Sequence, residues 1–417
     1  LDGAQIAIRM KDKRIGILFL TIFIDLLGFG IVIPNLSPIT KSFAEISHVG
    51  FSPNVAVGLA AGVFSIIQFI FAPIFGSLSD RIGRRPIILG SIIANIIGYY
   101  LLGIAGSFWM LMVARIVSGF GSANIAAAQA YIADITPPQE RAKRMGIIGA
   151  AFGLGFVFGP FIGGELYSMG ELAGGQGLYY IGVFTAILCA VNFVLAWILL
   201  PESLVDKVSE YRKVSETFKG MVTVWRIEVI GELFLVSFIY TAAFSMMQTN
   251  ASVLWDEKYH LKPNEIGYVF AMIGVFSAVV QGGLIGVFQK KLGIKKMLIW
   301  GCPMAAIGLT LIPLPPDATW FYPVQVIAVM FLAFANGLLM PSINSLVSLN
   351  APPDAQGKIL GLLQSMGSLA RAIGPLVSGF LYDYYSSLPY FGGGILMMVA
   401  FVLALALSKS IKFDIRN

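Results

Sequence analysis

Asp25, Arg115 and Arg371 each interrupt a long apolar run: FLTIFIDLLGFGIVIP, MLMVARIVSGFG and LGLLQSMGSLARAIGPLV. A charge at the centre of a bilayer costs about 2.5–3.5 kcal/mol on insertion scales, so an ionisable group kept there points to function. A carboxyl can take up and release a proton or face a cationic substrate. Asp25, eleven residues past Arg14 and so about 16 Å along a helix, is the candidate proton carrier, with a structural pairing to Arg115 as the alternative. Guanidinium groups stay charged and match carboxylates or phosphates. Arg115 and Arg371 are therefore candidates either for an anionic group of a substrate or for internal neutralisation, Arg371 lying about 20 Å beyond Lys358.

Glu232 is a shallower acid that either opens toward a cavity or marks a water-exposed helix end, while Asp134 and Glu165 sit near run ends as gate partners or surface groups. Gln68, Asn124, Gln129, Asn250, Gln281, Asn336, Asn344 and Gln364 complete a candidate substrate cavity, each open to the plainer reading of an interhelical hydrogen bond. The densest charge is in GSLSDRIGRRP, Gly76 to Pro86.

Catalytic signatures are missing. There is no GxxxxGK[ST] phosphate loop, no nucleophile elbow and no zinc ligand set. Cys189 and Cys302 are too few and too dispersed for a disulfide framework or a metal site, and His48 and His260 fall outside the apolar runs. No enzyme, metal or cofactor is expected. Work would be driven by a proton gradient or by the substrate's own gradient.

The elements that must position these groups follow from composition. Of 417 residues, 57% are hydrophobic and 12% charged, half the charge of soluble domains (about 25%). A bilayer core of about 30 Å takes roughly 20 apolar residues per helix, and such runs recur near 14–36, 54–78, 86–106, 108–133, 143–167, 178–200, 229–252, 264–288, 295–314, 320–348, 356–382 and 388–408. They are too long for barrel strands. The expectation is an all-α integral membrane protein of twelve transmembrane helices.

The first run has full length and is followed by Pro34 and a polar loop without a cleavage pattern, so it reads as an uncleaved anchor. Residues 1–9 precede Met10, a candidate native start. Lys and Arg are retained on the cytoplasmic side of a membrane. They gather before the first run, at Arg81/Arg84/Arg85, at Arg141/Lys143/Arg144, between Lys207 and Arg226, at Lys290 to Lys296, at Lys358 and in the tail. Lys41, Lys258 and Lys262 alone fall on the other side, which places both termini in the cytoplasm of a cell-membrane protein. The net charge of +6 thus expresses topology, and no basic domain for nucleic acid stands outside the membrane. A monomer in lipid is expected.

The chain also repeats itself. PPQERAKRMG at 137–146 returns as PPDAQGKILG at 352–361, and GPFIGGELY at 159–167 as GPLVSGFLY at 374–382. GSLSDRIGRRP has a relic, GVFQKKLGIKK at 286–296, with Gly-to-Gly spacing kept and Asp80 replaced by Lys290. The expected plan is a short terminus 1–13, a six-helix bundle 14–200, a linker 201–228, a second bundle 229–408 and a tail 409–417. Two pseudo-symmetric bundles can rock about a midplane site.

GSLSDRIGRRP resembles the loop between helices 2 and 3 of the major facilitator superfamily. DLLGFGIVIP, ARIVSGFG and GIIGAAFGLGFVFGPFIGG resemble the helix 1, 4 and 5 motifs of its twelve-helix drug/proton antiporters. SIIQFIFAPIFGSLSDRIGRRPIIL and AYIADITPPQERAKRMG are most similar to the tetracycline/proton antiporter branch and its multidrug relatives. A departure stands beside the match: where that branch carries a histidine in helix 8, this chain has Ser277.

The resemblance implies the major facilitator fold and a role for Arg115 in coupling. It implies a cytoplasmic gate built from Gly76, Asp80, Arg81, Gly83, Arg84, Asp134 and Arg141, with Asp80 facing the amino end of helix 11 and Arg84 or Arg81 meeting Asp134. It further implies that the helix 5 motif (Gly146, Gly155, Gly159, Pro160, Gly163 and Gly164) meets helix 11 between the halves. The activity implied is proton-coupled export of an amphipathic small molecule by alternating access. A lipid or lysolipid flippase, or an anionic-metabolite exporter using Arg115 and Arg371, is the alternative, and a non-transporting sensor on the same scaffold a third.

Overall fold

The protein is described by a computed structural model over residues 2–136, 141–204, 228–280, 284–351 and 356–410. Residues 137–140, 205–227, 281–283 (with Gln281), 352–355 and those from 411 lie outside the described residues, as do the Arg141 side chain and the surroundings of Gly146.

Within these limits the chain is helical, in twelve helices with no strand. They are α1 (Asp2–Ile46), α2 (Pro53–Ile82), α3 (Arg84–Gly103), α4 (Phe108–Ile135, with a 3-10 turn at Ser122–Asn124), α5 (Arg141–Leu172) and α6 (Gly177–Leu199), then α7 (Glu228–Tyr259), α8 (Pro263–Val279), α9 (Ile285–Leu311), α10 (Ala318–Asn350), α11 (Gln356–Tyr384) and α12 (Leu388–Ser410). Nine of them, all but α5, α8 and α11, have the length and hydropathy of a membrane span among the described residues.

The first helix does not stop at Pro34. It continues to Ile46 with Pro34 and Pro38 inside it. In membrane helices, neighbouring groups can re-satisfy the backbone that a proline frees. Asn35, beside Pro34, ties this stretch to α5 by donating to the Gly163 carbonyl at 3.0 Å, and the Thr40 hydroxyl donates to the Leu36 carbonyl at 2.5 Å.

Buried apolar residues form two large cores, one drawn from residues 18–200 and the other from 230–407 together with Ile33, and a small cluster of Ala44, Ala56 and Phe108. Glycines let helices approach closely where lipid gives no hydrophobic drive for them to associate. Gly30 of α1 lies against Gly159 of α5, and Gly103 of α3 against Gly182 of α6. Across the halves, Gly58 and Gly62 of α2 meet Pro375 and Ala372 of α11, while Gly164 and Val157 of α5 meet Asn264 and Gly274 of α8. This corrects the expected partner of α5: its small face packs on α1 and α8, and α11 packs on α2 and α7.

The duplicated loop is visible in the backbone. Gly83 has φ 115° and ψ 156°, and Gly293, its counterpart 210 residues on, has φ 76° and ψ 159°. Both lie in the region open mainly to glycine.

Candidate functional site

Asp25 is buried at 5% exposure in the half built from α1 to α6. Both its oxygens accept from amides: Oδ1 from Asn95 Nδ2 of α3 at 2.9 Å, and Oδ2 from Asn124 Nδ2 of α4 at 2.6 Å. Asn124 also donates to Ser91 at 3.0 Å, and Ser122 donates to Asn95 Oδ1 at 3.4 Å. The 3-10 turn at Ser122–Asn124 carries these groups, and Gly121 before it leaves room for Asn95, whose Cγ would lie 2.6 Å from a Cβ there. Among the described residues no Lys or Arg forms an ion pair with Asp25.

Arg115, the alternative partner, turns elsewhere. Its Nε donates to the Ala60 carbonyl at 3.0 Å, its guanidinium carbon lies 4.4 Å from the centre of the Phe64 ring, and its Nη1 is buried without a hydrogen-bond partner. It lines a narrow cleft between the halves, together with Arg371 of α11. The other polar lining groups are Ser37, Ser65, Ser245, Gln248 and Thr249, and no carboxylate is among them. Phe29, Ile33 and Leu36 supply the apolar wall. Arg371 Nη2 donates to Ser368 at 3.0 Å.

The remaining cavity candidates are spread out. Gln68 bridges to Ser122 and Ser368, Asn250 donates to Ser378 at 3.0 Å within the second half, and Asn336 accepts from Tyr240 at 3.1 Å. Gln129, Glu232 and Gln364 are half-buried and Asn344 is exposed. The cleft therefore brings together Arg115 and Arg371, while Gln68, Asn124 and Asp25 form a polar layer behind it. Asn95 was not anticipated; its signal was a lone amide one helical turn from both Ser91 and Tyr99 in the third apolar run.

At the end of the molecule carrying Asp80, Arg84 pairs with Asp80 at 2.5 Å and with Asp134 at 3.2 Å, and it donates to Ser79 at 2.6 Å. Gly76 lies over Ala126 of α4. Glu202, just past α6, accepts from the backbone N–H of Arg84 at 2.9 Å and of Arg85 at 3.2 Å. It thus caps α3, where a helix dipole favours negative charge. Ser203 donates to Asp134 at 3.0 Å, and Arg85 stacks 5.3 Å from the Trp197 ring. Gly83 is needed twice, for its φ and because a Cβ there would lie 2.9 Å from the Glu202 carboxyl carbon. The amino-terminal side chains of α11, the expected partners of Asp80, lie outside the described residues.

At the opposite end the halves are joined directly. Lys41 pairs with Glu257, Asp383 accepts from Ser52 and Asn54, Tyr268 donates to Glu165, and Ser37 donates to the Thr249 carbonyl at 3.0 Å. Glu165 is thereby a contact between halves.

A twelve-helix bundle in two halves, with a charged cleft between them and clusters of charged and polar contacts at its ends, is the architecture of a multi-pass membrane transporter. The family model of the Major Facilitator Superfamily matches residues 18–375 and 321–412, and the chain belongs to that superfamily. It is 30% identical over 375 residues to the class E tetracycline resistance protein of Escherichia coli, covering 89% of this chain and 88% of the relative. It is 27% identical over 420 residues to major facilitator superfamily domain-containing protein 10 of Bos taurus, covering 89% and 88%. The crystal structure of the human organic anion transporter MFSD10 superposes with a TM-score of 0.72 at 24% identity, covering 94% of this chain and 99% of that one.

Proposed function

We propose that this chain exports amphipathic small molecules from the cytoplasm in exchange for protons, by alternating access. The observation that carries the reading is Asp25: a carboxyl buried at mid-depth, held by two neutral amides and paired with no cation among the described residues. Its gain or loss of a proton changes the net charge of the polar layer behind the cleft by one, and no paired cation holds it in the ionised form. The tetracycline resistance relatives support the substrate class. Both termini and the Asp80 cluster lie on the cytoplasmic side of the cell membrane, and the protein acts as a monomer. In this assignment the contacts around Lys41, Asp383 and Glu165 join the halves on the outer side.

The test is transport of tetracycline, as probe, into inverted proteoliposomes under an imposed pH gradient. Asp25→Asn is expected to insert normally and to lose gradient-driven uptake. Uptake in that variant at the wild-type level would refute the proton role.

One observation favours a second reading. The cleft carries two arginines, one with an unpartnered Nη1, and no carboxylate. An anionic metabolite or a lipid headgroup would find its counter-charges there. Arg371→Ala is then expected to lower uptake of an aromatic carboxylate while sparing a neutral amphiphile; equal effects on both would count against anion selection.

A further inference from the structure

The Gln68 side chain of α2 touches both the polar layer of Asp25 and the opposite half. Its Nε2 donates to the Ser122 carbonyl at 2.9 Å, and its Oε1 accepts from Ser368 of α11 at 3.3 Å. Ser368 in turn accepts from Arg371 Nη2 at 3.0 Å, with the Gln364 carbonyl, 3.3 Å away, as a competing acceptor for its proton. On the other side, Ser122 donates to Asn95 Oδ1 at 3.4 Å and Asn95 donates to Asp25 at 2.9 Å.

Written with each donor donating, one run goes Arg371 to Ser368 to Gln68 to the Ser122 backbone carbonyl, and a second goes from the Ser122 hydroxyl to Asn95 to Asp25, the two joined through the rigid backbone of the Ser122–Asn124 turn. Every hydrogen bond points the same way, from a half-buried cation at the cleft to a buried carboxyl. Aligned hydrogen bonds polarise one another in a low-dielectric interior. Gln68, Ser368, Asn95 and Ser122 are each less than a tenth exposed, so water does not short-circuit the chain.

We infer that this chain couples the proton site to the substrate cleft across the two halves, with Gln68 and Ser368 as the positioning residues at the crossing. The inference rests on the proton-coupled reading of Asp25. While Asp25 is unprotonated, the chain has an anion at its accepting end and holds Ser368 and Arg371 toward the first half. Protonation removes that anion, loosens the Gln68–Ser368 crossing and frees Arg371 for a ligand or for separation of the halves. The titratable side chains within electrostatic reach of Asp25 are Tyr99 of α3 and Cys189 of α6, and Arg115 of α4 lies within reach of Tyr99.

The test is infrared difference spectroscopy of the full-length protein in lipid, titrated with acid, with no ligand required. The carbonyl band of protonated Asp25 is assigned by its disappearance in Asp25→Asn. Ser368→Ala and Gln68→Leu are each expected to move the midpoint of that band toward alkaline pH by about half a unit or more, as the unprotonated carboxyl loses aligned donors. The double variant should move it no further, because both cut one chain, and Ser368→Thr, which keeps the hydroxyl, should restore it. Ser368→Ala stands alone as a test if Gln68→Leu does not fold. A band unmoved by Ser368→Ala, or additive shifts in the double variant, would overturn the chain while leaving proton coupling intact. A wild type in which Asp25 does not titrate would overturn both.

Discussion

Arg84 and Asp80 are four residues apart across the Gly83 turn, yet they carry unequal weight. The Asp80 side chain is 41% exposed, and an exposed ion pair contributes about 0–1 kcal/mol. The Arg84 side chain is 8% exposed and also serves Asp134 and Ser79. Asp80→Asn should therefore slow or unbalance transport with substrate affinity unchanged, as read by separate measurements of binding and turnover. Arg84→Ala should lower stability by about 1–3 kcal/mol, seen as a fall in the thermal unfolding midpoint. Arg84→Lys should not restore it, since an ammonium cannot present the same planar fork. These charges were legible in the sequence because they break an apolar chain. Glu202 was not, because a carboxylate at the start of a polar linker looks solvated until the fold brings the α3 terminus to it. Asn95 hid for a related reason: a lone amide in a membrane helix fits ordinary interhelical bonding equally well.

Among the helices, α1 and α5 approach backbone to backbone. A Cβ on Gly159 would lie 2.6 Å from Gly30 Cα and 3.0 Å from the Ile31 nitrogen, neither of which can swing aside. Gly159→Val should cost about 1–3 kcal/mol by overpacking, measurable as reduced thermal stability. Gly90→Val on α3, where a Cβ meets open space, is the tolerated control. Glycines at intervals of about four residues announced a small face on α5, but a small face does not name its partner. Hence α8 was found where α11 was expected. The length of α1 was misread for another physical reason: a packed membrane helix tolerates internal prolines, and Pro34 and Pro38 lie inside α1 instead of ending it. The turn at Gly293, by contrast, could be read from the preserved seven-residue spacing alone.

For the molecule as a whole, the twelve runs and the duplication were written in the hydropathy and in the repeats. The pairing of halves was not, because it depends on which helix ends meet. Asn54 and Asp383 are joined at 2.8 Å across the halves, and the native cysteines Cys189 and Cys302 are buried. A disulfide between Asn54→Cys and Asp383→Cys should arrest transport and release it on addition of reductant; full activity of the crosslinked protein would contradict rocking about the midplane. The capping of α3 by Glu202 bears on biogenesis. A ribosome delivers the chain from its amino end, and domains tend to fold in that order. The amide groups that open α3 must therefore wait through more than a hundred residues of synthesis for their carboxylate. The first half acquires its finished charge cluster only once Glu202 and Ser203 have emerged. A separately expressed first half should be cut after Leu204, because one ending at Leu200 leaves the tunnel without the residues that complete it.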